Sequence, residues 1–123
     1  MIDIPAAQYS RADVVNNIQN SMLLLGAFVQ RRRDLLASAL GDRVHQPYRA
    51  PLCPLLPALQ KMATGSGILG SALSGAGPSV LIFVDSGANI RQLMSRVKAH
   101  LASQGLIAEL IPATIENRGA RRR

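Results

Sequence analysis

The sequence predicts an α+β domain in which helices pack on a small, mostly antiparallel sheet, in the order α-α-α-β-β-α-β. Three observations predict it. Apolar residues recur at intervals of three and four from about 11 to 31 and again from about 88 to 104, the mark of helices with one buried face. Val80-Leu81-Ile82-Phe83-Val84 is an unbroken β-branched and aromatic run, too short for a typical helix and bounded by Pro78 and Asp85, so it reads as a buried strand. Just ahead of it, Ser74 to Ser79 is a small-residue turn, which makes a hairpin with the segment Ile68 to Leu73. Helices grouped before strands favour the α+β class.

At 123 residues the chain supports one domain with a real core, and we expect 1–123 to be that domain. With 48% hydrophobic and 17% charged residues, it has a folding composition, which sets disorder aside. The aromatics are only Tyr9, Phe28, Tyr48 and Phe83, so the core must be aliphatic. A net charge of +7 suggests anionic ligands or partners, yet the excess is local. Arg31 to Arg33, Arg118 and Arg121 to Arg123 supply seven of the fourteen basic residues. Solvated charge is the ordinary reading of such clusters at a helix junction and a tail. With stacking aromatics scarce and no recognition motif, nucleic acid is not an expected partner.

The single cysteine, Cys53, forbids an internal disulfide, fits a reducing compartment and is expected as buried filler. Two histidines and one cysteine, far apart, give no metal-site spacing, and no metal is expected. The apolar run Met22 to Val29 is far short of a membrane span, and Asp3 and Asp13 stand where a signal peptide would be basic. The expectation is a cytoplasmic protein with no membrane partner.

Taken in order, residues 1–10 with Pro5 form an irregular lead-in. The first helix, about Arg11 to Arg31, carries Val14, Val15, Ile18, Met22, Leu25 and Val29, with Leu23, Leu24 and Phe28 widening the stripe. Such a face makes it central. The second helix shows Leu35, Leu36, Ala39, Leu40 and Val44, with Asp34 in its first turn, where an acid suits the helix dipole. His45 to Pro51 is a proline-stiffened connector. A third helix runs from about Pro54 to Gly65 on Leu55, Leu56, Leu59 and Met62. Pro57 fits it only within or ahead of the first turn. Gly65 to Gly67 break the chain before the hairpin. The fourth helix, about Ala88 to Gln104, presents Ile90, Leu93, Met94, Val97 and Leu101 and ends at Gly105, a left-handed cap. A last strand covers Leu106 to Thr114, and 116–123 is a basic tail.

Three places have candidate chemistry. The turn Ser74-Gly75-Ala76-Gly77-Pro78 reads by itself as a plain hairpin turn, although its small residues and free amides also suit an anion. Arg49 sits between Pro47 and Pro51, held still enough for bidentate capture of a carboxylate or phosphate; a surface arginine is the commoner case. His45 can serve as an acid–base group, but beside a proline turn it is more often structural. No nucleophile–base pair or acidic pair emerges from spacing, so no catalytic residue is assigned.

Asp42-Arg43-Val44-His45-Gln46-Pro47-Tyr48-Arg49, then Leu55-Leu56-Pro57, then Gly70 to Ser79 resembles the C-terminal part of homoserine kinases, a branch of the GHMP family of small-molecule kinases. Ser74 to Pro78 matches the family's Ser-Gly-Ala-Gly-Pro type of loop without a break. The Asp-x-x-His-(Glu/Gln)-Pro-Tyr-Arg element is narrower and points within the family to homoserine kinase. The resemblance covers nearly the whole chain and implies a two-layer sandwich of the GHMP C-terminal type. It implies transfer of the γ-phosphoryl of ATP, with Mg2+, to the side-chain hydroxyl of L-homoserine, on the way to threonine. Carried over by position, Arg49 binds the substrate carboxylate, Ser74, Gly75, Ala76, Gly77 and Pro78 line the active site, and His45 and Tyr48 support Arg49.

The family's proline-led Gly-Leu-Gly-Ser-Ser loop for ATP is absent, and Gly65-Ser66-Gly67 lacks both its pattern and the helix start that would present amides to phosphates. The expectation is therefore a C-terminal domain without its N-terminal ATP-binding domain. Alone it is expected to bind no ATP or Mg2+ and to be inactive, with homoserine and ATP engaged only together with that missing domain. An apolar face left by the missing domain would favour self-association. Two alternatives stay open, the C-terminal domain of another GHMP kinase and a non-catalytic ligand-binding module derived from one.

Overall fold

The computed structural model describes residues 8–62 and 67–122. Helix α1 spans Arg11–Val29, α2 Leu36–Ala39, α3 Gln46–Arg49, α4 Leu55–Gln60 and α5 Ile90–Ser103, with strands β1 at Ile68–Leu73 and β2 at Val80–Val84. Short 3-10 turns at Arg33–Leu35 and Ala50–Leu52 lead into α2 and follow α3. The lead-in at 1–7 and most of the expected break at Gly65–Gly67 lie outside the described residues.

Each boundary has a local cause. Ser10 caps α1, its Oγ accepting from the Asp13 amide at 3.0 Å. The helix closes with Arg31 at φ 54° and the Arg32 amide donating back to the Ala27 carbonyl at 2.8 Å, a left-handed cap made without glycine. Asn89 caps α5 by accepting from the Gln92 amide at 3.2 Å, and Gly105, at φ 70°, ends it as expected. Pro57 falls inside the first turn of α4, where its missing N–H costs nothing.

β1 and β2 form an antiparallel hairpin, pairing Leu73 with Val80, Ser71 with Ile82 and Gly70 with Phe83, with a register irregularity between Ile68 and Gly70. One face, carrying Val80 and Ile82, packs on the core formed by Ala58 and Leu59 of α4 and Val97 and Leu101 of α5. His100 ties these helices, its Nε2 lying 2.7 Å from the Ala58 carbonyl. The other face carries Gly70, where a Cβ would stand 2.7 Å from Leu40 Cδ1, so α2 approaches the sheet there. On that same side Phe83 meets Phe28 of α1 edge to face, with ring centroids 6.2 Å apart.

The α+β class and the hairpin stand, and four features differ from the sequence reading. The second helix stops at Ala39 instead of reaching Val44, because Gly41 and Asp42 follow and the Asp42 carboxylate takes up the next amides in a turn of its own. The connector then holds one helical turn, α3. Residues 106–110 alternate half-buried and exposed like a strand, with Leu106, Ala108 and Leu110 on the core. Yet the sheet among the described residues contains only β1 and β2.

α1 is not central. Of its described side chains only Ala27 is buried, while Ile18 is 60% exposed, Met22 65% and Val29 74%. A 19-residue helix is about 28 Å long, and a two-stranded hairpin with a four-residue α2 offers too little surface to cover it.

Candidate functional site

The candidate residues lie on α3, on the turn before it and on the loop joining β1 to β2. Asp42 organises the first part. One carboxylate oxygen accepts from Asn17 Nδ2 of α1 at 2.7 Å and from the Val44 amide at 2.8 Å; the other accepts from the Gln46 amide at 2.8 Å. The His45 amide lies 3.1 and 3.2 Å from the two oxygens. Asn17 also accepts from the Arg43 amide at 2.8 Å through its own Oδ1. Burial pushes the Asp42 carboxyl up, but these hydrogen bonds outweigh it and hold it below the usual carboxylate range. The turn from 42 to 46 is thus wound around one anion, and it launches α3, with Pro47 in its first turn and Arg49 at its last position.

The loop is equally ordered. The Ser74 amide donates to the Ser79 carbonyl at 2.9 Å and the Gly77 amide to the Ser74 carbonyl at 3.1 Å. Gly75 (φ 59°) and Gly77 (φ 84°) occupy the left-handed region that favours glycine, and the Gly77–Pro78 peptide is cis. Gly75, Ala76, Pro78 and Ser79 are exposed, and a Cβ on Gly75 would meet nothing within 4 Å. The tip of the loop, Gly75 and Ala76, thus lies at the surface.

The two parts meet. His45 Nε2 lies 3.2 Å from the Gly75 carbonyl, and the Leu73 amide donates to Gln46 Oε1 at 2.9 Å. Cys53, buried as expected, directs its thiol to the Pro78 carbonyl at 3.4 Å. Elements 25 to 30 residues apart in sequence are therefore joined by three hydrogen bonds. Arg49, the last residue of α3, is half-buried, and Tyr48 stacks edge to face on Tyr9 with centroids 6.0 Å apart. In the structure His45 contacts the loop. Asp42 and Gln46, which carry most of these bonds, were not singled out as site residues from sequence. The signal available was Asp42 standing four residues ahead of the Gln46-Pro47 start of a turn, with amides at two to four residues in reach of its carboxylate.

A cleft of about 510 Å³ lies elsewhere, lined by Arg33, Gly67, Asp85, Asn89, Gln92 and Arg96 among others. It sits at the open end of the hairpin, where the Asp85 amide donates to the Gly67 carbonyl at 2.8 Å, a strand's length from the Ser74–Ser79 turn. Arg33 and Asp85 pair across it at 2.6 Å. It contains neither Arg49 nor any residue of the loop. No helix among the described residues is long and apolar enough to cross a membrane.

Residues 24–103 match the family model "GHMP kinases C terminal", and the chain belongs to that family. Its relatives are homoserine kinases. It is 40% identical over 112 residues to the homoserine kinase of Deinococcus radiodurans, covering 91% of this chain and 36% of that protein. It is 38% identical over 114 residues to that of Desulfitobacterium hafniense, covering 93% and 38%. The solved homoserine kinase structure from Cytophaga hutchinsonii superposes with a TM-score of 0.66 at 20% identity, over 84% of this chain and 35% of that one, and shares the fold. The chain thus spans little more than a third of the length of the relatives it matches.

Proposed function

We propose that this chain supplies the amino-acid-binding side of a homoserine kinase and works with an N-terminal ATP-binding domain. In this reading Arg49 holds the carboxylate of L-homoserine in a two-pronged ion pair. The loop of Ser74, Gly75, Ala76, Gly77 and Pro78 faces the region where the γ-phosphoryl of ATP passes to the homoserine hydroxyl. Phosphoryl transfer demands mainly positioning and stabilisation of charge, which an anchored arginine and a rigid small-residue loop supply. Mg2+ would be held elsewhere. Asp42, the carboxylate at this site, already has both oxygens engaged by protein donors.

The observation that carries the reading is the joining of the two elements: His45 and Gln46, beside Arg49, bond Gly75 and Leu73 at the loop. This joining supports reading the two motifs as parts of one site.

The test is to measure homoserine-dependent ADP release by the 123-residue chain alone, and after mixing it with the N-terminal two-thirds of the Deinococcus radiodurans enzyme. No release alone, release on mixing, and a KM for homoserine raised about tenfold or more by Arg49→Ala are expected, since stranding a paired carboxylate costs about 2 kcal/mol or more. Release by the chain alone overturns its proposed dependence on a second domain. A KM that ignores Arg49→Ala overturns the assignment of the substrate.

A further inference from the structure

We infer that Gln46 is a positioning residue, which fixes the root of the Ser74–Pro78 loop relative to Arg49; this rests on the homoserine-site reading above. Gln46 is buried, 9% exposed, at the first position of α3, and Arg49 follows three residues later, one helical turn away. The two ends of its amide work in opposite directions. Oε1 accepts from the Leu73 amide at 2.9 Å, while Nε2 donates to the Leu40 carbonyl at 3.2 Å. Leu73 is the last residue of β1 and the loop begins at the next position.

The path from the arginine to the loop is therefore one turn of helix and one part-buried hydrogen bond. His45 makes a second link, to the Gly75 carbonyl, but it is exposed and competes with water. A buried backbone N–H without a partner is expensive, so the Leu73 bond has a definite preferred geometry that a surface contact lacks. Helix α3 then cannot shift without dragging the loop, which is what a site holding a carboxylate at one wall and a reacting hydroxyl at the other needs.

Two substitutions alter the bonds differently. Gln46→Met keeps length and removes both, whereas Gln46→Glu keeps the acceptor facing Leu73 but sets a carboxylate oxygen, which repels instead of donating, against the Leu40 carbonyl. On the full 123-residue chain, amide hydrogen exchange at Leu73 and the labelling rate of Cys53 by a thiol reagent report whether the loop stays seated, because the Cys53 thiol lies under Pro78. Val97 and Leu101 of α5 serve as the reference for global opening. Gln46→Met is expected to speed Leu73 exchange and Cys53 labelling about tenfold or more relative to that reference, as loss of one buried hydrogen bond predicts. Gln46→Glu, which retains the acceptor for Leu73, is expected to restore both in part. No change in Gln46→Met, a rise shared equally by α5, or equal disturbance by Gln46→Glu each overturns the proposal. In the mixed enzyme the KM for L-homoserine is expected to rise in Gln46→Met and return in part in Gln46→Glu. A KM moved by Arg49→Ala but not by Gln46→Met overturns the positioning role, whereas one moved by neither overturns the homoserine reading itself.

Discussion

Asp42 shows how much one side chain can organise. Its carboxylate accepts from a side chain of α1 and from three successive backbone amides, so the turn preceding Arg49 is shaped by an anion and not by apolar packing. Replacing it with alanine strands those donors, and Asp42→Ala is expected to lower stability by about 1–2 kcal/mol, read as a fall in the urea midpoint at unchanged slope. The pH dependence has a definite sign. The folded pKa lies below the unfolded value, near 3.9, so the stabilisation is complete above that value and is lost as pH falls through the folded pKa. The gap in urea midpoint between the parent chain and Asp42→Asn should be constant above about pH 5 and shrink below about pH 4. A gap that persists at low pH would assign the effect to shape instead of charge.

At the scale of elements, two glycines make opposite predictions. Gly26 lies inside α1, and a Cβ there would meet nothing within 4 Å, so Gly26→Ala is expected to add about 0.5–1 kcal/mol by relieving the entropy cost of glycine in a helix. Gly70 is where α2 presses on β1, and Gly70→Ala drives a methyl to 2.7 Å from Leu40 and 3.4 Å from the Ala37 backbone. A loss of about 1–3 kcal/mol is expected, and thermal melts of the two variants side by side check both signs. Much of this level was legible in sequence. The hairpin Ile68–Leu73 with Val80–Val84, the cap at Gly105 and the tolerance of Pro57 follow from residue chemistry that acts locally. The short α2 was not legible, because the periodic Leu40 and Val44 mask the competition of Asp42 for the amides of Val44 to Gln46. Nor was the link from Gln46 to Leu73, since nothing local announces a hydrogen bond across 27 positions. The element containing Arg49 could be read; what holds it to the loop could not.

For the whole molecule, the stripe of Val14, Ile18, Met22, Leu25 and Val29 along α1 is an extended exposed apolar feature among the described residues. In the sequence this stripe had the look of a core helix, because periodicity tells which residues share a face and not whether anything covers it. We expect the isolated chain to self-associate through that face. Sedimentation at increasing concentration should show the shift, and Ile18→Glu with Met22→Glu should abolish it while leaving the far-ultraviolet circular dichroism unchanged. The turn around Asp42 also has a consequence in time. Its backbone contacts span two to four residues, whereas those seating the loop span 25 to 30. Short closures cost less entropy and form sooner, so the winding of residues 42–46 should precede the arrival of the loop. Substitutions at Asp42 should then slow refolding, while those at Gln46 should mainly hasten unfolding. The arginine's perch would be built first, and the loop would come to it.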